Sequence, residues 1–338
     1  MIFEKRPTQV PMITVNQSSR CQALILSPLR LMRVIAERKR LYRKKDQKFI
    51  FGNEMDERKS CRIGEGGFGS VFRYVYNNRD VAIKQLHRSR HSPTSDFHSF
   101  CSELNAFRLP PSPYVVQTIA FTSSKSCMQV ITEFIEGKNL QQLINDETWQ
   151  VDIHQRLQLA LQIISGLVHC HSHLLLHLDV KPANIFVDAT CKKCKLSDFG
   201  CSRTAVSTET DILHAEITRS SCFGTVAYKA PELLKGLDAT DRADIYSFSL
   251  VLWELLARKA AFDRVHPHVL IYGIVARRIR PKIDELNFLK EKKNEELVTL
   301  LQNGWSEKLT KRPRAVSVQQ IIKMIVSSKT IFSETTGS

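Results

Sequence analysis

Residues 64–69 read Gly-Glu-Gly-Gly-Phe-Gly, a G-x-G-x-x-G arrangement, and their setting limits the fold of this 338-residue chain more than any other feature. Glycine lacks a Cβ, so such a loop lets backbone approach a phosphate closely and adopt positive φ. In a dinucleotide-binding unit the loop opens a helix. Here it runs into Ser70-Val71-Phe72-Arg73-Tyr74-Val75-Tyr76, a β-branched and aromatic stretch that reads as a strand, as does Cys61-Arg62-Ile63-Gly64 before it. The dinucleotide reading therefore fails on context, and the glycines are expected in a strand–loop–strand hairpin. Asn77 and Asn78 supply the next turn, and Asp80-Val81-Ala82-Ile83-Lys84-Gln85-Leu86 a third strand.

The same reading carries along the chain. In residues 96–108, Phe97, Phe100, Leu104 and Phe107 have helical spacing. VVQTIAF and CMQVITEF are two further strands around the polar SSKS turn. Beyond Leu140 the apolar pattern is mainly helical, in RLQLALQIISGLVHCH, ADIYSFSLVLWELLA and SVQQIIKMIV, interrupted by a short strand pair at IFVD and CKLSD. The expected class is α+β: a five-stranded lobe with one main helix over 58–136, a larger helical lobe over 137–328, a basic arm at 1–57 and a short tail at 329–338.

Charge is uneven. Residues 1–50 carry 12 Lys or Arg against 3 acidic residues, and the other 288 carry 37 against 31. A net charge of +15 invites a nucleic-acid reading, which the near balance outside the arm weakens, so no nucleic-acid partner is expected. Residues 29–45 can form a basic amphipathic helix, read as a solvated arm, with a partner-binding helix, an anionic-surface contact and a nuclear signal as alternatives. No apolar run is long enough for a membrane span, and the first twelve residues lack the apolar core of a secretory signal. The nine cysteines are accordingly expected as free thiols in a reducing compartment, and the location as cytoplasmic.

The stretch richest in chemistry is His177-Leu178-Asp179-Val180-Lys181-Pro182-Ala183-Asn184: a carboxylate, an ammonium two residues on and an amide five residues on. Fourteen residues after Asn184 comes Asp198-Phe199-Gly200, and Gly224-Thr225 through Ala230-Pro231-Glu232 closes the segment. Glu103 is the only glutamate between Lys84 and the end of the predicted helix. Glu232 and Arg312 are a candidate buried ion pair, and Asp244 a candidate partner for the catalytic-loop backbone.

In order and spacing these elements resemble the eukaryotic protein kinases over about residues 58–328. Thr225 and the DVKPAN loop are similar to the serine/threonine type. GEGGFGSVFR, VAIKQ, HLDVKPANI, LSDFGCS, APELLKG and ADIYSF are closer still to the Mos kinases. That resemblance implies transfer of the ATP γ-phosphoryl to protein Ser or Thr, with Mg²⁺ as metal and a MAP kinase kinase as substrate during oocyte meiotic maturation. The glycine loop (Gly64, Glu65, Gly66, Gly67, Phe68, Gly69) would lie over the phosphates, and Lys84, held by Glu103, would bind them. Asp179 would accept the hydroxyl proton, Lys181 with Thr225 would serve the transferring group, and Asn184 and Asp198 would hold metal. Ile63, Val71 and Ala82 would roof the adenine, with Thr132 as gatekeeper and the Glu133 and Ile135 backbones addressing the base. The alternatives are a silent pseudokinase scaffold and a basic nucleic-acid-binding protein.

Three further expectations follow. Phe107, one helical turn beyond Glu103, should stack with Phe199 and His177. The kinase triplet His-Arg-Asp is His-Leu-Asp here, so activity should not depend on a loop phosphate docked at that arginine. Finally, Cys191-Lys192-Lys193-Cys194, with no second CxxC, and His169, His171 and His173 read as a turn and a helix end rather than metal sites, and Cys201 as a packed thiol.

Overall fold

The computed structural model describes residues 61–66, 69–76, 79–86, 93–123, 128–208, 211–216, 224–286 and 295–328. The arm at 1–57 with its candidate helix, Gly67 and Phe68, the Asn77-Asn78 turn, most of the SSKS turn and the tail at 329–338 lie outside the described residues.

Strands β1 (Cys61–Gly66), β2 (Gly69–Tyr76), β3 (Arg79–Leu86), β4 (Thr118–Ser123) and β5 (Met128–Glu133) form one antiparallel sheet in the order β1-β2-β3-β5-β4. Alternation along β3 decides the two faces. Val81 and Ile83 are buried with Ile131 on one side. Ala82 and Lys84 point to the other, where register sets Lys84 between Val71 and Val130, and Ala82 beside Thr132. Gly69 is required where the hairpin turns back: its φ is +154°, and a Cβ there would lie 2.2 Å from the Gln85 carbonyl oxygen. Helix α1 (Pro93–Ala106) buries Phe100, Leu104, Ser102 and Glu103.

The remaining elements are β6 (Gly137–Asn139), α2 (Leu140–Ile144), α3 (Ile153–Ser172), β7 (Leu175–Leu176), β8 (Ile185–Asp188), β9 (Cys194–Leu196), β10 (Arg203–Ser207), β11 (Leu213–Ala215), α4 (Pro231–Leu234), α5 (Asp241–Ala257), α6 (Pro267–Ala276), α7 (Glu295–Gly304) and α8 (Ala315–Ser327). Asp152 caps α3, its carboxylate accepting from the Gln155 N–H at 2.7 Å. Helix α5 is apolar nearly all round and is buried from Asp241 to Leu256, as such a helix must be. Helix α7 approaches it through Gly304, where a Cβ would sit 1.9 Å from Ser249 Oγ. The short strand pair expected between the helices is β8 and β9, antiparallel, with β6 as third strand.

Arg312 is fully buried and forms the expected pair with Glu232, Nη1 to Oε1 at 2.7 Å and Nη2 to Oε2 at 2.8 Å. It also donates to the carbonyls of Ser306 and Arg242, at 2.8 and 3.0 Å, so its donors tie three segments together. Arg312→Ala strands the Glu232 carboxylate in the core. We expect it to destabilise the fold by about 3–5 kcal/mol, read as a fall in the unfolding midpoint.

Candidate active site

Between the sheet and the β8–β9 pair lies a cleft of about 190 Å³. Ile63, Val71, Ala82 and Thr132 line it, and Lys84, Glu103, Glu133, Ile135, Asn184 and Asp198 share it. The Glu133 side chain is committed elsewhere: Oε1 accepts from the Gln117 N–H at 2.7 Å, and the carboxylate pairs with Lys195 Nζ at 2.7 and 2.8 Å. Only the backbone of Glu133 can therefore address a ligand. At Ile135, between β5 and β6, the backbone makes no hydrogen bond among the described residues. A purine fits this segment: apolar walls above, and backbone donors and acceptors along one edge.

At the inner end Lys84 Nζ pairs with Glu103 Oε1 and, at 2.8 Å, with Asp198 Oδ1. Glu103 reaches the lysine because it faces inward from α1, and its Oε2 accepts from the Phe199 N–H at 3.2 Å. Burial opposes the lysine's charge, but Asp198 and Glu103 outweigh it and raise its pKa above the ordinary lysine range. One cation cannot equally satisfy two buried carboxylates. Burial pushes Glu103 up to about 7, against the pull of Lys84, whereas for Asp198 the charge and hydrogen bond of Lys84 overcome burial and hold the carboxyl below its usual range. Asp198 stays an anion, the state in which a carboxylate can hold a divalent cation. It sits at φ +63°, a conformation uncommon for a residue with a side chain and held here by these contacts.

The catalytic loop is fixed from below. Asp244, fully buried on α5, accepts from the N–H groups of His177 and Leu178 at 2.9 and 2.7 Å, as expected, and from His171 Nε2 at 2.8 Å. His177 Nε2 faces the Ser197 carbonyl at 3.0 Å, while Nδ1 faces the Asp179 N–H at 3.3 Å. Its proton therefore lies on Nε2, and the ring spans the two catalytic segments.

The Asp179 carboxylate accepts three hydrogen bonds. Oδ1 accepts from the Thr225 N–H at 3.1 Å, and Oδ2 from Lys181 Nζ at 2.8 Å and Asn184 Nδ2 at 3.0 Å. Lys181 Nζ also reaches Thr225 Oγ1 at 2.7 Å. The Asn184 amide nitrogen additionally donates to the Asp179 carbonyl at 2.9 Å, which leaves Oδ1 of Asn184 without a hydrogen bond among the described residues. An uncommitted amide oxygen and an ionised carboxylate on one cleft are the hard oxygen donors that a small divalent cation takes alongside phosphate. The residues present thus fit both a nucleotide and its metal. Chemically, the set offers a carboxylate that can accept a proton, a cation beside it and two anchored oxygen donors.

The protein kinase domain family matches residues 58–324. A serine/threonine-protein kinase mos of Patiria pectinifera is 38% identical over 258 residues, covering 76% of this chain and 71% of that protein. Proto-oncogene serine/threonine-protein kinase mos of Sus scrofa and of Mus musculus are each 34% identical, over 75% and 78% of this chain and 76% and 78% of theirs. The chain belongs to the Mos family of serine/threonine protein kinases. Membership brings use of ATP with a divalent cation and a protein as substrate. No helix among the described residues is long and apolar enough to cross a membrane.

Against this family background one expectation needs correction. Phe199 does pack on His177, with centroids 4.8 Å apart, and shares a cluster with Ala106, Val115, Cys170 and Leu175. Phe107 does not complete a stack of three. Helix α1 ends at Ala106, the Phe107 N–H turns back to the Leu104 carbonyl at 3.2 Å, and the ring meets Phe121 edge-on at 5.5 Å. Ala106, a small residue, is what the helix presents to Phe199. The sequence reading also missed Phe186 on β8, which lines the cleft, and Lys195, which holds Glu133. Apolar IFVD signalled a strand without saying which side chain meets the ligand.

Leu178, in place of the usual arginine, is buried at φ +62° in the main core. Cys191 stands in the turn between β8 and β9, and Cys194 is buried with its thiol pushed well above the ordinary range by burial. His169 Nε2 contacts the Pro110 carbonyl at 3.0 Å and His173 Nδ1 the His169 carbonyl at 2.8 Å, so both ring nitrogens act as donors. Cys201 is buried, and burial pushes its thiol up to about 12, an inert state.

Proposed function

We propose that residues 58–328 form the catalytic domain of a cytoplasmic MAP kinase kinase kinase of meiotic cells, with 1–57 and 329–338 as appendages, acting with Mg²⁺ on a MAP kinase kinase. The MAP kinase kinase and the meiotic setting follow from the resemblance to the Mos kinases. The assignment of residues rests on one observation: Lys84, Glu103 and Asp198 form one contact set, Asp179, Lys181, Asn184 and Thr225 form a second, and Asp198 and Asn184, one from each, line the same cleft. A pseudokinase scaffold would not need all seven.

In this reading the β1–β2 hairpin covers the phosphates, and Lys84, oriented by Glu103, binds them. Asp198 and the free Oδ1 of Asn184 hold Mg²⁺, which when bound offsets the phosphate charge. Asp179, kept in place by Thr225 and Asn184, orients the substrate hydroxyl and takes its proton. Lys181 stands beside it to neutralise the transferring group, and Thr225 shapes the floor on which a Ser or Thr side chain approaches.

The full-length chain should phosphorylate a kinase-dead MAP kinase kinase on Ser or Thr in preference to generic protein substrates. Equal turnover of generic substrates removes the MAP kinase kinase assignment and leaves the broader one.

A further inference from the structure

Glu103 acts only while α1 keeps it on Lys84, and the residues on either side of it are tied to the chain just past Gly200. Ser202 is fully buried. Its Oγ donates to the Ser102 carbonyl at 2.8 Å, and Asn105 Nδ2 contacts that Oγ at 3.2 Å and the Ser202 carbonyl at 3.4 Å. Arg203 Nη1 lies 2.7 Å from Ser102 Oγ and 2.7 Å from the Ser202 carbonyl. Guanidinium donors make the stronger class of hydrogen bond, and burial raises the cost of leaving any of these groups unpaired.

The other end of this link is anchored. Arg203 and Thr204 begin β10, which pairs with β7 at Leu176 and Leu175. Strand β7 runs directly into His177 and the catalytic loop. The placement of α1 is thus coupled through two short strands to Asp179. In many kinases a loop phosphate on the His-Arg-Asp arginine orders this region. Here that position is an apolar residue in the core.

We propose that Ser102, Asn105, Ser202 and Arg203 form a bolt that holds α1 in its Lys84-binding position and makes catalysis independent of activation-loop phosphorylation. Asn105 and Ser202 are positioning residues: they act through Glu103. The inference rests on the assignment of Lys84, Glu103 and Asp198 above.

The test uses the phosphatase-treated full-length chain, saturating Mg-ATP and myelin basic protein as a generic substrate. Wild type should retain most of its activity after treatment. Asn105→Leu and Ser202→Ala should each lower kcat by about fivefold or more with the KM for protein substrate little changed and cooperative unfolding retained. Because both act through one link, the double variant should lose little more than the worse single one. If Asn105→Leu does not fold, Ser202→Ala, which removes a single oxygen, decides the matter by itself. Variants within twofold of wild-type kcat, multiplicative losses in the double variant, or a wild type silenced by phosphatase would each overturn the bolt while leaving the kinase reading intact. A wild type without turnover before treatment overturns both.

Discussion

Lys84→Arg should lower kcat by about two to three orders of magnitude without unfolding the protein. The side chain it replaces is one ammonium placed against two carboxylates, Glu103 and Asp198, in a site where it is largely withdrawn from water. A guanidinium keeps the charge but spreads its donors in a rigid planar fork, so it cannot reproduce a point contact at that depth. The charge balance of the cluster survives, and with it the fold. What is lost is the alignment of phosphates against Asp179. Measured with contaminating kinases excluded, activity near wild type in this variant would remove Lys84 from the catalytic set.

Asp179→Asn should be comparably damaging for a different reason. The substitution is nearly isosteric, and an amide can still accept from the Thr225 N–H through its oxygen. It cannot take a proton, and its NH₂ group would face donors from Lys181 and Asn184 that now meet a carboxylate oxygen. Loss of a general base costs about 10²- to 10⁴-fold. Nucleotide affinity should change little, because the cleft walls and the Lys84 cluster are untouched. Calorimetric titration of nucleotide beside turnover separates the two effects: a variant that loses nucleotide binding in step with kcat would place Asp179 in the binding machinery instead.

Much of this site was legible in the sequence because its parts are local. The alternation of DVAIKQL alone puts Ala82 and Lys84 on the face opposite Val81 and Ile83. The spacing from Asp179 to Asn184 is short enough that one loop brings amide to carboxylate. The failures have physical causes too. Helical periodicity assigns a face but not an end, and the Pro110-Pro111 pair ahead gave the warning that the helix stops before Phe107 can turn toward Phe199. Ser102 and Ser202 stand 100 residues apart, and neither carries a motif; their contact is a product of the tertiary fold, in which β10 is pinned to β7. Phe186 shows the same limit, since its side of β8 depends on how that strand packs under the cleft.

The most direct test of the central claim is phosphoamino-acid analysis of the product made by the full-length chain from γ-labelled ATP and a protein substrate, with and without divalent cation, beside Asp179→Asn. The account predicts label in phosphoserine or phosphothreonine that requires the cation and disappears in the variant. Label that persists at wild-type level in Asp179→Asn, or that forms equally well in the presence of a chelator, would contradict it.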